Sequence, residues 1–165
     1  MKKAQLYLFA AIILIVLAFT LATSQIARPE DSGVFQQLVT NFKTQAPIAL
    51  NQAVYGGTNV SQAFVTFTQD YAEYARTRDP AFGFIAMYSR DDEIMIINTL
   101  QESADVLYGS LIRVDTEARI PYKGSSLTIR YHGIDYELSI ERSLSLRAVF
   151  ISQTKERVNV HVMEE

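Results

Sequence analysis

FGFIAMYSRDDEIMIINTL, residues 82–100, is where the hydrophobic period of this chain changes. Upstream of it, apolar residues recur every three or four positions, as on one face of a helix. From Phe82 they alternate, as on a strand. Phe82 to Tyr88 and Ile94 to Leu100 flank the polar tetrad Arg90-Asp91-Asp92-Glu93, and together they predict a β-hairpin. A helical half followed by a stranded half places the chain in the α+β class.

On the helical side, Asn59 can cap a helix whose stripe is Val60, Ala63, Phe64, Phe67, Tyr71 and Tyr74, closed by Asp79-Pro80. Such an aromatic stripe reads as core packing rather than a ligand groove. An earlier helix begins near residue 32 with Asp31 or Ser32 as its cap. It carries Val34, Phe35, Leu38, Val39 and Phe42, then Leu50, Ala53 and Val54, and stops at Gly56-Gly57. Pro47 has no N–H and crowds the carbonyl four residues back, which predicts a bend or break close to Ala46. Two amphipathic helices, spanning about residues 32–78, are expected to lie antiparallel.

On the stranded side, Asp105 to Val114 can continue the sheet, whereas Asp115 to Ser125, with Pro121, Gly124 and several charges, reads as a longer loop. Leu127, Ile129 and Tyr131, then His132-Gly133, then Tyr136, Leu138 and Ile140 predict a second hairpin. Leu144, Leu146, Ala148 and Phe150 alternate in turn. Gln153 to Glu156 separate them from a last strand with Val158, Val160 and Val162 in the core and Asn159 on the opposite face. The expectation is an antiparallel sheet or small sandwich over about residues 82–163, with one apolar face covered by the two helices.

The N-terminus is of another kind. Leu6 to Ala22, LYLFAAIILIVLAFTLA, contains no charge, proline or glycine over 17 residues. As a helix it measures roughly 26 Å, and its flanks extend it towards the ~30 Å of a bilayer core. Lys2 and Lys3 precede it while Arg28, Glu30 and Asp31 follow, so the N-terminus is expected in the cytoplasm and the C-terminal part outside. This divides the chain into an anchor or signal, residues 1–25, and one extracytoplasmic α+β domain, residues 26–165. The outline also fits a secretory signal with small residues at Ala22 and Ser24, cleaved before Gln25.

Lys2-Lys3-Ala4-Gln5-Leu6, basic residues and a small residue before Gln at the head of an apolar helix, resembles the class III signal of archaeal type IV pilin-like proteins. The resemblance implies processing by a prepilin peptidase between Ala4 and Gln5, with Lys3, Ala4 and Gln5 forming the junction. It further implies that the helix is retained, holds the subunit in membrane lipid, and packs against like subunits in a filament core. At the fifth mature position, where many type IV pilins carry Glu, this chain has Phe9.

The remaining composition restricts the chemistry. There are 15 basic and 18 acidic side chains, with arginines spread singly, so no patch is available for a nucleic acid backbone. Cysteine is absent, which removes disulfides, thiolate metal ligands and a cysteine nucleophile. His132 and His161 share no metal-ligand spacing, and Asp91-Asp92-Glu93 reads as a solvated hairpin tip rather than a calcium loop. No phosphate-cradling glycine loop or G-x-S-x-G elbow occurs, and Glu164-Glu165 lie in solvent. No catalytic residue, cofactor or metal site is therefore expected. Asn59-Val60-Ser61 is an N-glycosylation sequon, although helix capping explains the same asparagine. The expected function is a non-enzymatic, membrane-anchored surface protein, pilin-like and structural or adhesive. The alternatives are an anchored extracytoplasmic binding module that does not polymerise and, more remotely, a secreted enzyme.

Overall fold

The structure is a computed structural model that describes residues 32–154 and 158–164, and the described residues from Val34 onward belong to one compact unit. The apolar segment 6–22, the junction residues Lys3, Ala4 and Gln5, and the linker up to residue 31 lie outside the described residues. Among the described residues, no helix is long and apolar enough to cross a membrane.

Among the described residues two helices come first, α1 (Ser32–Tyr55) and α2 (Val60–Arg78). Helix α1 ends as its glycines predict. Gly57 adopts φ 63°, its N–H donates to Val54 O, and the Thr58 N–H donates to Ala53 O at 3.0 Å, which satisfies carbonyls that the helix would otherwise leave open. Asn59 then caps α2, its side-chain oxygen accepting from the Gln62 N–H at 3.2 Å. The expected break at Pro47 does not occur, because α1 runs through it unbroken. Phe42, Ala46 and Leu50 are all buried on the same side, and their packing offsets the one hydrogen bond that proline removes. The Tyr71 hydroxyl donates to Leu38 O, so the later part of α2 lies against the early part of α1 and the two run antiparallel. The buried face of α2 is rotated slightly from the expected stripe: Thr68 and Ala75 are buried, whereas Tyr74 is exposed.

Nine strands follow: β1 (Phe82–Arg90), β2 (Glu93–Asn98), β3 (Ala104–Tyr108), β4 (Ser110–Val114), β5 (Glu117–Pro121), β6 (Ser126–Tyr131), β7 (Ile134–Ser139), β8 (Ser145–Gln153) and β9 (Val158–Glu164). They form two antiparallel sheets, one ordered β5-β2-β1-β8-β9 and the other β4-β3-β6-β7. The three predicted strand pairs β1–β2, β6–β7 and β8–β9 are all present and antiparallel. Arg90 pairs with Glu93 across a turn in which Asp91 has φ 56°, and Tyr131 pairs with Ile134 across His132 and Gly133 at φ 51° and 76°. Positive φ at both His132 and Gly133 matches the right-handed twist of the strands they join.

The five-stranded sheet is buried on both faces. Phe82, Phe84, Ala86, Tyr88, Phe150 and Met163 pack with the helices, while Ile85, Met87, Ile94, Ile96, Val149 and Ile151 pack with the four-stranded sheet. Double burial explains the unbroken apolar runs 84–88 in β1 and 148–151 in β8. The result is three layers, helices on one sheet and a second sheet on its other face.

Three expectations are corrected. Residues 105–114 do not extend the first sheet but form the β3–β4 hairpin of the second. Within the expected loop 115–125, Glu117–Pro121 is a strand, β5, which returns to pair with β2. The facing of β9 is the reverse of that expected. Val158, Val160 and Val162 are 53%, 38% and 39% exposed, and Met163 is buried. Val160 lies opposite Ile151 and Val162 opposite Val149, which turns the valines towards the second sheet; that sheet is one strand narrower and leaves them partly bare. His161 and Met163, opposite Phe150 and Ala148, face the helices instead.

Candidate functional site

At the end of β2 the chain leaves the larger sheet for the smaller, and a cleft of about 520 Å³ opens beside this crossing. Asn98 fixes the crossing. Its amide nitrogen donates to the carbonyls of Glu102 at 2.8 Å, Val114 at 3.0 Å and Asp115 at 3.3 Å, and its oxygen accepts from the Leu100 N–H at 2.9 Å. Thr99 extends the ladder with its hydroxyl, which donates to Phe84 O and accepts from the Phe84 N–H, both at 2.8 Å. Gly83 permits the loop to lie this close, because a Cβ there would sit 2.7 Å from Leu100 Cδ2.

On this floor stand the polar walls. Arg76, from the last turn of α2, donates to Thr99 O. Glu102 Oε2 lies 3.0 Å from His132 Nε2, which spans the distance from the crossing loop to the β6–β7 turn. The Tyr131 and His132 rings are 4.3 Å apart. Burial and the Glu102 carboxylate push the Tyr131 phenol up, so it stays a protonated hydrogen-bond donor through the neutral range. Gln101, Gln153 and Thr154 complete the polar lining over Leu100 and Ile151. An imidazole held by a carboxylate can position a proton, but the Thr99 hydroxyl is committed to Phe84 and is not presented as a nucleophile. A guanidinium, two carboxamides and a phenol around an apolar floor form a set suited to binding a small polar molecule.

Of the residues singled out in the sequence, Asn59 is exposed and caps α2, and the hydroxyl of Ser61, the third sequon residue, is hydrogen-bonded to that of Tyr88. The acidic hairpin tip is partnered by arginines, Asp91 by Arg90 at 3.5 Å and Asp92 by Arg142 at 3.9 Å. His132 and His161 are not brought together, and among the described residues no group of three His, Cys, Asp or Glu side chains could hold a metal. Arg76 and Glu102 carry no signal in the sequence, and Tyr131 and Gln153 read there as strand and turn residues rather than as site residues. They come from separate elements and share no local spacing that would have marked them.

His161 lies outside the cleft, on the helix side of β9, with its ring 6.4 Å from that of Phe150 and its Nε2 buried without a partner. Burial, and secondarily the Lys43 charge, lower its pKa below 6.5. The imidazole is therefore neutral in the folded state while the unfolded chain still binds a proton at a higher pH. Its contribution is fully present above about 6.5 and is lost as the pH falls through that value towards the folded-state pKa. Urea midpoints should drop from pH 7 to pH 5, and His161→Phe should flatten that drop. An unchanged slope in the variant would show that His161 does not carry it.

The chain matches no protein-family model, no curated protein and no solved structure.

Proposed function

We propose that this chain is a non-enzymatic surface subunit, anchored by its N-terminal apolar helix and pilin-like in its processing, with the domain beyond residue 26 on the outer side of the membrane. The observation that carries this reading is the order of parts: Lys2-Lys3-Ala4-Gln5, then 17 apolar residues, then a compact unit with its own helical layer and two sheets. The described residues bury two apolar clusters of their own. In this reading the N-terminal segment serves lipid and like subunits.

The mature N-terminus tests the reading. A start at Gln5 supports a pilin-like subunit, and a start at Gln25 a released protein. Ala4→Phe keeps Lys2, Lys3 and the apolar length, so insertion should survive while peptidase processing fails and a longer membrane-bound precursor accumulates. Normal processing of that variant would count against a prepilin-type junction. The cleft between Arg76, Glu102 and His132 supports a second reading, an anchored binding module that does not polymerise, for which the mature chain starts at Met1.

A further inference from the structure

The larger sheet treats its two edges differently. Strand β5 is five residues long, carries Glu117 and Arg119, and ends in Pro121, which has no N–H to offer a neighbour. Strand β9 is seven residues long and contains no proline, lysine or arginine. Among the described residues no strand pairs with its outer edge, and its three valines remain 38–53% exposed. Charge, proline or shortness normally blunts such an edge, whereas at β9 the one charged residue is Glu164, at the end of the strand.

We propose that β9 pairs antiparallel with β9 of a second copy of this chain, across a two-fold axis at Val160, joining two five-stranded sheets into one of ten strands. In this register Val160 faces Val160, Val158 faces Val162, and Asn159 faces His161. Six valines then form one continuous stripe, and the opposed residues 158–162 carry no acidic or basic pair of like sign. Moving the axis to His161 sets Glu164 against Val158 and breaks the stripe. The other edges fit less well, since β5 would bring Glu117 and Arg119 against the valines, and β7 would bring Asp135 and Glu137. The two-fold pairing is also closed, so it stops at two copies.

One strand pair with three valines a side falls short of the roughly 1,000 Å² that a stable interface in dilute solution needs. Pairing therefore depends on local concentration, which copies tethered to one membrane surface would supply. That condition rests on the anchored reading; the register does not.

The chain has no cysteine, so single-cysteine variants of the full-length protein reconstituted at high density in lipid vesicles report the contact directly. Opposed Cβ atoms in an antiparallel pair lie about 4.5–5.5 Å apart, so a shift of about 1 Å brings two thiols within disulfide reach. Under mild oxidation Val160→Cys should give a disulfide-linked dimer about tenfold faster than Tyr55→Cys, which is 89% exposed and reports random collision. A mixture of Val158→Cys and Val162→Cys proteins should yield the mixed dimer in excess over either self-dimer. Equal rates for Val160→Cys and Tyr55→Cys would overturn the pairing, as would Asn159→Cys linking as fast as Val160→Cys. A mature chain starting at Met1 with fast Val160→Cys linkage discards the pilin reading and keeps the strand pair; a start at Gln5 with slow linkage does the reverse.

Discussion

Phe42→Ala is expected to lower the unfolding free energy by about 3–5 kcal/mol, a large share of the 5–15 kcal/mol typical of a domain. Phe42 is fully buried, and its ring centroid lies 4.9 Å from Phe84, 5.1 Å from Phe150, 5.2 Å from Tyr71 and 5.4 Å from Phe67. It therefore touches both helices' shared face and two adjacent central strands. Truncation would leave a cavity that these rigid rings cannot close. Tyr74→Ala, on the same helical layer but 42% exposed, serves as the comparison and should cost much less. Urea unfolding followed by circular dichroism measures both. A loss for Phe42→Ala no larger than that for Tyr74→Ala would mean that the helices do not cover the sheet at this point.

The second large effect is placed by the facing of β9. Met163 is fully buried among the side chains between the sheet and the helices, so Met163→Asp puts a carboxylate into an apolar layer and should cost several kcal/mol, or bind a proton to avoid doing so. Val160→Asp, at a partly exposed position, should cost less, about 1 kcal/mol. Equal unfolding midpoints, or the reverse order, would show that β9 is turned the other way.

Much of this fold was legible because its signals are local. Asn59, Gly56-Gly57 and Asp79-Pro80 each act within one helical turn, and the Arg90–Glu93 and His132-Gly133 turns each decide one hairpin. What was not legible depends on distant pairing. Glu117–Pro121 is short, charged and ends in proline, so it reads as a loop until Ile94 and Ile96 of β2 supply its partner positions. On β9 the valines are the more apolar alternate set, and hydrophobicity would send them inward. The inward side is decided instead by the opposite residues of β8 and by the width of the second sheet. Simultaneous apolarity at Phe84, Ile85, Ala86 and Met87 did signal burial on both faces, yet alternation was the pattern read. The cleft escaped detection for the same reason as β5: its walls come from α2, the crossing loop, the β6–β7 turn and β8, and only the fold assembles them.

The central sheet also dictates an order of events during synthesis. Strand β1 needs β8, with Phe84 opposite Phe150 and Ile85 opposite Val149, and at ribosomal speeds β8 emerges several seconds later. In that interval the helical hairpin and the β1–β2 ribbon can form from neighbouring residues, but Ile85, Met87, Ile94 and Ile96 await both the second sheet and the strand that completes their own. A chain truncated before Ser145 thus possesses its entire helical layer and lacks the strand on which the middle layer closes. Shortened products should be insoluble or rapidly degraded rather than smaller folded proteins, and in a growing chain this unsatisfied surface is the part that a chaperone would have to shield.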